Sequence, residues 1–134
     1  MYVHETTLSL RHTDATGALF FANVYYLTHE ALEHYLVSVG MDIGHILTTL
    51  PYHLPVVHSE ADYLQPMRPG QPLRIAVRLD EVGTTSFTLG YHVTTPEGVP
   101  LATARVAHVV VGRSDGEKQA IPDELLAVLA ALKD

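Results

Sequence analysis

The chain has 134 residues, enough for one domain and too few for a second one of ordinary size. Its 8 Lys and Arg residues stand against 15 Asp and Glu residues, and the formal charge of −7 argues against nucleic-acid binding, which needs a basic face. Hydrophobic residues make up 47% and cysteine is missing, so the composition predicts a packed core and excludes disulfides and cysteine nucleophiles. The first residues lack a signal-peptide pattern and no apolar run approaches the roughly 20 residues that span a bilayer, so we expect a cytoplasmic protein without a membrane segment.

The predicted elements are one long helix, five strands and a short final helix. A first strand is predicted over 2–10, which is rich in Thr, Val and Tyr. A helix is predicted over 23–39, where apolar residues recur at helical spacing, with Asn23 as its N-cap and Gly40 just past its end. The remaining elements are strands at 54–64, 73–80, 86–93 and 99–111, a hairpin turn at 95–98, and a helix whose first residue is Pro122. One helix followed by four consecutive strands predicts an α+β fold with an antiparallel sheet, in a single domain over 1–134.

Motifs for several other kinds of chemistry are missing or have the wrong spacing. His29 and His34 are five residues apart, about 140° around a helix axis, whereas a zinc-binding helix places two histidines four residues apart. We therefore predict no metal site. The chain also has no Gly-x-Ser-x-Gly nucleophile elbow, glycine-rich phosphate loop or dinucleotide fingerprint.

The segment 11–26 carries the candidate active site. It places Asp14 just ahead of Gly17, an apolar stretch and the predicted helix start. A helix start presents unpaired N–H groups and a partial positive charge, so it can polarise a carbonyl oxygen. A nearby carboxylate can attack that carbonyl or deprotonate a water that does, which is enough to hydrolyse a thioester because sulfur is a good leaving group. The alternative is that Asp14 is a turn residue bonded to its own backbone.

The residues from His12 to Tyr26 resemble the active-site segment of the hot-dog-fold acyl-CoA thioesterases, the 4-hydroxybenzoyl-CoA thioesterase family. The shared pattern is an acid, two residues, a glycine, an apolar and aromatic stretch, and a helix with an early Asn-x-Tyr. The resemblance continues at 54–58, at 62–66 and at the proline-glycine turn in 68–75. It implies a sheet wrapped around the long helix, and hydrolysis without a cofactor.

The resemblance also implies roles for individual residues. Asp14 matches the catalytic carboxylate, as nucleophile or general base, and Phe21 matches the position whose backbone N–H polarises the thioester carbonyl. Gly17 is expected to keep the approach to the carbonyl open. Tyr25 and His58 are expected to line the acyl pocket, although each has a purely structural alternative, a core aromatic residue and a strand histidine.

Two further aromatic residues, Phe20 and Tyr63, are expected in the core. A non-catalytic acyl-binding module and a hot-dog dehydratase are the alternatives from other classes. A dehydratase would pair a catalytic histidine with an acid on a different element, a pair that the motif segment does not supply, although His12 lies near Asp14.

The expected partners are an acyl-CoA substrate and a second copy of the chain. The resemblance implies a homodimer or homotetramer with active sites at the dimer interface, and pairing of two sheets would also cover an exposed sheet edge. Similarity at 29–33 and 54–58 to the 1,4-dihydroxy-2-naphthoyl-CoA hydrolases favours an aromatic acyl group, with a short or medium aliphatic group as the rival.

The residues expected to bind the CoA phosphates differ from the family pattern. The basic run that holds the CoA phosphates in some members is missing, since residues 82–85 read Val-Gly-Thr-Thr. An acyl carrier protein therefore remains an alternative donor. The arginines that could substitute are Arg68, Arg74, Arg78, Arg105 and Arg113.

Overall fold

The computed structural model describes residues 1–133. In chain order its strands are β1 Tyr2–Thr7, β2 Tyr52–His53, β3 Val56–Tyr63, β4 Pro72–Val82, β5 Ser86–Thr94, β6 Pro100–Val109 and β7 Val111–Gly112. Its α-helices are α1 Val24–Ser38, α2 Ile43–Thr48 and α3 Asp123–Ala130, and two 3-10 turns, Leu10–His12 and Phe21–Asn23, precede α1. The main sheet is antiparallel with the strand order β1-β4-β5-β6-β3, and β2 pairs with β7 in a small second sheet. The predicted α+β class with an antiparallel sheet is confirmed.

The central strands bury one face of the sheet because their apolar residues alternate with polar ones. The fully buried side chains on this face include Leu73, Ile75, Val77, Leu89 and Val93. They follow the period of two that the sequence predicts for β4 and β5. These strands pack against α1 and α3, and the buried apolar residues form a single core.

Helix α1 runs along the buried face of the sheet. Val24, Leu27 and Ala31 are buried on it, and its bounds agree with the predicted 23–39 to one residue at each end. Its end is set by Gly40, whose φ of +83° allows the Met41 N–H to return to the Leu36 carbonyl at 2.8 Å, as predicted. No helix within residues 1–133 is both long enough and apolar enough to cross a membrane.

Some predicted elements were wrong in detail. The sequence analysis missed α2 and the small sheet, and the last long strand is interrupted at Val110 before β7. Pro122 is the N-cap of α3 rather than its first residue. These differences are local and leave the path of the main sheet unchanged.

Strand β3 forms one edge of the main sheet and is exposed along nearly its whole length. Exposed apolar side chains cluster at its two ends, namely Val56, Val57, Tyr63 and Leu64. An edge strand presents a row of backbone N–H and C=O groups that have no partner in the same sheet. This edge lies beside the first turns of α1, because the Tyr63 hydroxyl bonds to the backbone of Phe21.

Candidate active site

A tight hairpin carries Asp14 to the entrance of α1. Thr13 bridges Leu19, the Asp14 N–H donates to the Ala18 carbonyl at 3.1 Å, and the Gly17 N–H donates to the Asp14 carbonyl at 3.0 Å. Gly17 has a φ of +77°, which L residues rarely adopt. A Cβ at this position would meet only an Arg68 side-chain nitrogen, at 3.9 Å. Within the chain, turn geometry rather than crowding therefore requires glycine here.

The Asp14 carboxylate is exposed and is held by one neighbour. Its Oδ1 accepts the Thr16 N–H at 2.8 Å and the Thr16 hydroxyl at 2.6 Å. Hydrogen bonds from the Thr16 hydroxyl and N–H hold the pKa of Asp14 below its ordinary value. The other oxygen, Oδ2, has no hydrogen-bond partner within residues 1–133. Asp14 therefore stabilises its own turn, which was the structural alternative to a catalytic role. It is also an anion whose Oδ2 is available to react.

Removing the Thr16 hydroxyl should shift the pH dependence of activity. In Thr16→Val the N–H bond remains but the largest stabilisation of the charged form is lost, so the pKa of Asp14 rises. If the ionised carboxylate is required, the acidic limb of the kcat/KM profile moves to higher pH. Thr13→Val is the matched control, because that hydroxyl donates to the Leu10 carbonyl and not to Asp14. Superimposable profiles for Thr16→Val and wild type would contradict a role for the Asp14 anion.

The entrance of α1 presents one backbone N–H outward. The Phe20 carbonyl accepts the Asn23 N–H at 2.8 Å, so in the planar trans peptide the Phe21 N–H points the opposite way, out of the helix. It has no acceptor within residues 1–133, and Phe21 is 64% exposed. An outward N–H at a helix start is suited to polarise a carbonyl oxygen.

Asn23 holds the hairpin against this entrance. Its predicted role as side-chain N-cap of α1 was wrong, because its backbone is helical and it makes no side-chain cap bond. Its Nδ2 instead donates to the His12 carbonyl at 2.9 Å, and the Phe20 N–H donates to the same oxygen at 3.0 Å. The Asn23 side chain therefore bonds to a residue outside the helix, and this bond connects the segment before Asp14 to the helix start.

His12 itself is buried under this contact. Its Nδ1 accepts the Ser9 N–H at 3.1 Å, and burial lowers its pKa, with a further lowering from Arg11 that Glu30 opposes. His12 is therefore a packed side chain whose Nδ1 already has a backbone partner, which does not favour the dehydratase reading.

The structure brings together some of the predicted pocket residues and separates others. Tyr25 is half-buried and packs against the core beside Tyr63. His58 lies 3.8 Å from Glu60 on the outer face of the sheet, opposite the face that carries Tyr63 and the helix entrance. Within one chain, His58 is therefore not part of the group around Asp14 and Phe21.

The prediction that Phe20 and Tyr63 are core residues was wrong, since they are 41% and 44% exposed. Both lie at the helix entrance rather than in the core. The Tyr63 hydroxyl donates to the Phe21 carbonyl.

Two clefts lie beside the entrance of α1. The larger, about 580 Å³, is lined by residues with polar or charged side chains, among them Arg11, Glu30 and Glu33. The smaller, about 280 Å³, is lined mostly by apolar groups between the hairpin and the end of β3, including Leu19, Phe21, Tyr63, Leu64 and Met67. The smaller one suits an apolar acyl group and reaches Phe21, so we take it as the candidate acyl groove.

Four of the five candidate arginines are held by acids or by several backbone carbonyls. Arg74 contacts Glu5, Arg78 contacts Asp80, and Arg105 contacts a group of three acids. Arg113 donates to the backbone carbonyls of Ile46, Leu50 and Tyr52. Arg68 is held less tightly, because within residues 1–133 it has no carboxylate within ion-pair distance and its guanidinium has one backbone carbonyl partner, whereas Arg113 has three. Its guanidinium donates to the Gly17 carbonyl at 3.3 Å, next to the Asp14 turn.

Comparison with known proteins agrees with this fold. The family model of the Thioesterase-like superfamily matches residues 8–129. The chain is 34% identical over 125 residues to a 1,4-dihydroxy-2-naphthoyl-CoA hydrolase from Nostoc punctiforme, covering 93% of this chain and 84% of that protein. It is 32% identical over 126 residues to a hydrolase of the same name from Picosynechococcus, covering 90% and 86%.

Among solved structures, a 1,4-dihydroxy-2-naphthoyl-CoA thioesterase from Synechocystis superposes with a TM-score of 0.90 at 24% identity, covering 98% of this chain and 96% of that one. One long helix packed against an antiparallel sheet is the hot-dog fold, which this chain shares with the Synechocystis structure. The chain belongs to the Thioesterase-like superfamily and is a thioesterase. The predicted fold and enzyme class are confirmed.

Proposed function

We propose that the chain hydrolyses an aromatic acyl-CoA to the free acid and CoA, with 1,4-dihydroxy-2-naphthoyl-CoA as the first substrate to test. The main observation in support is that the hairpin holds two groups near each other. One is the Asp14 carboxylate, whose Oδ2 is available, and the other is the Phe21 N–H, which has no acceptor within residues 1–133. The names of the relatives from Nostoc punctiforme and Picosynechococcus support the choice of acyl group. A CoA thioester as substrate is consistent with the predicted cytoplasmic location.

In this proposal the Phe21 N–H donates to the thioester carbonyl oxygen and stabilises the negative charge that develops on it. Asp14 then acts in one of two ways. As a nucleophile it attacks the carbonyl carbon, the CoA thiolate leaves, and water hydrolyses the resulting anhydride. As a general base it takes a proton from a water that attacks the carbonyl carbon directly. Either route consumes one water and yields one carboxylic acid and one CoA.

Arg68 is the arginine we propose for the CoA phosphates. It is exposed and it sits beside the Asp14 turn. Within the described residues it has no carboxylate partner, unlike Arg74, Arg78 and Arg105, and it lacks the three backbone carbonyls that hold Arg113. Local cations matter here because CoA is strongly anionic and the chain carries a formal charge of −7. If an acyl carrier protein were the donor instead, the same arginine would face its acidic surface.

We also propose that the chain forms a homodimer by pairing the exposed edge of β3, with a tetramer as the alternative. Light scattering at micromolar concentration should then give at least twice the 14.7 kDa chain mass. Val57→Lys should shift the protein toward monomer, because it adds a charge to an exposed edge residue. Val37→Lys is the control, since Val37 is equally exposed, at 60%, but lies on α1. A monomer mass for the wild type would rule out the dimer.

The function is tested by thiol release from a panel of acyl-CoAs. The panel contains dihydroxynaphthoyl, 4-hydroxybenzoyl, phenylacetyl and straight-chain acyl groups, and the chain gives no background with a thiol reagent because it has no cysteine. Hydrolysis selective for aromatic groups would support the proposal. Hydrolysis selective for straight chains would favour the aliphatic alternative. No release by the folded protein would favour a carrier-protein substrate or a binding module.

A further inference from the structure

Tyr63 connects the edge strand to the entrance of α1. It is the last residue of β3, and its hydroxyl donates to the carbonyl of Phe21, which lies 42 positions earlier in the chain. The ring is 44% exposed and lines the candidate acyl groove, so it is not buried as a core residue. The Tyr63 hydroxyl is therefore bonded to the backbone of Phe21, the residue whose N–H points outward.

The peptide planes on both sides of Phe21 are held by hydrogen bonds. The plane that contains the Phe21 N–H is held through the Phe20 carbonyl, which accepts the Asn23 N–H at 2.8 Å. The plane that contains the Phe21 carbonyl is held by the Val24 N–H and by the Tyr63 hydroxyl. Because the two planes meet at one Cα, restraining both limits rotation about the two bonds that aim the N–H.

Within residues 1–133, the bond from Tyr63 is the one hydrogen bond to Phe21 that comes from outside the helix start. A three-residue 3-10 turn has poor hydrogen-bond geometry, and helix ends fray. The turn at Phe21–Asn23 is also exposed and has no side-chain cap bond. A contact from the sheet therefore supplies rigidity that the turn does not have by itself.

We propose that Tyr63 is a positioning residue for thioester hydrolysis, whose hydroxyl anchors the Phe21 carbonyl to β3 and keeps the Phe21 N–H aimed at the thioester carbonyl. This inference rests on the proposed function. Tyr63 acts through the backbone and does not itself touch the reacting atoms. Its loss should therefore lower kcat more than it changes KM, because a misaimed donor stabilises the transition state less while the acyl groove remains.

The test compares Tyr63→Phe with Tyr35→Phe. Both variants remove one tyrosine hydroxyl that donates to a backbone carbonyl, but the Tyr35 hydroxyl bonds to Val128 in α3, away from the helix entrance. We expect Tyr63→Phe to lower kcat about 10- to 100-fold, the scale of a small misplacement of a catalytic group, with KM within about twofold. We expect Tyr35→Phe to keep the wild-type kcat even if its melting temperature falls.

Two further measurements separate positioning from a general loss of structure. The acidic limb of the pH profile should be the same in Tyr63→Phe and wild type, because Tyr63 makes no contact with Asp14. Replacing Tyr63 with 4-aminophenylalanine, which keeps an N–H donor at the para position, should restore most of the lost kcat. Equal kcat for Tyr63→Phe and wild type, or no recovery with the amino analogue, would overturn the inference.

Wild type and Asp14→Asn are measured alongside these variants. If wild type hydrolyses the substrate, Asp14→Asn does not, and Tyr63→Phe is fully active, the positioning role fails while the proposed function stands. If wild type releases no thiol from any acyl-CoA, the proposed function fails and the role of Tyr63 falls with it.

Discussion

Replacing Asp14 with asparagine should lower kcat about 10²–10⁴-fold, the usual scale for a positioned acid–base group. Asparagine has the same size, and its side-chain oxygen can still accept the two bonds from Thr16, so the turn is retained. What is lost is the negative charge that would attack the carbonyl carbon or accept a proton from water. Thiol release measured on the preferred acyl-CoA, with circular dichroism to check the fold, gives the result directly.

Asp115→Asn is the matched control for this experiment. Asp115 makes the same kind of turn, with its Oδ1 accepting the Glu117 N–H at 2.9 Å, but it lies in the loop between β7 and α3. Its substitution should leave kcat unchanged. If Asp14→Asn has the kcat of the wild type, this carboxylate is not the catalytic group. That conclusion does not depend on which acyl-CoA is the substrate.

Replacing Phe21 with proline should lower kcat about 10²–10³-fold relative to Phe21→Ala, the cost of removing one donor from an oxyanion hole. Proline removes the backbone N–H, whereas alanine keeps it and removes only the side chain. The substitution suits the fold for two reasons. The N–H has no acceptor in residues 1–133, so no internal bond is lost, and proline is favoured at the first position of a helical turn.

The residue before the new proline is also compatible. Phe20 has φ −69° and ψ 130°, the extended conformation that a residue preceding proline prefers. The comparison with alanine removes the effect of the missing ring on the acyl groove. Equal kcat values for the proline and alanine variants, at similar melting temperatures, would show that the Phe21 N–H does not polarise the thioester carbonyl.

The elements of this fold could largely be predicted because their patterns are local. The alternation in β4 and β5 and the helical stripe of α1 are each contained in about ten to fifteen consecutive residues, and each decides which face is buried. The six-residue α2 was missed because so short a helix shows no full apolar stripe. Its one signal was Asp42, which caps it by accepting the His45 N–H at 2.8 Å.

The candidate site was predictable only in part. The acid, glycine and helix start at Asp14, Gly17 and Phe21 are close together in the chain. Their order suggested a carboxylate beside a helix start, and the resemblance of this segment to the hot-dog thioesterases implied the role of Phe21. The role of His58 depended instead on which face of β3 it occupies. The structure places it on the outer face, with Glu60, and no local pattern in that stretch indicated this.

By itself, then, the amino-acid sequence determined the fold class, the long helix and the position of the candidate carboxylate, because these depend on residues near one another in the chain. Only the tertiary structure decided that Asn23 holds His12 rather than capping the helix, that Tyr63 anchors Phe21, and that Arg68 lies beside Gly17. These contacts join residues 11, 42 and 51 positions apart. Such partners are chosen by how the strands pair and where the helix packs on the sheet, and the local sequence around each residue does not carry that information.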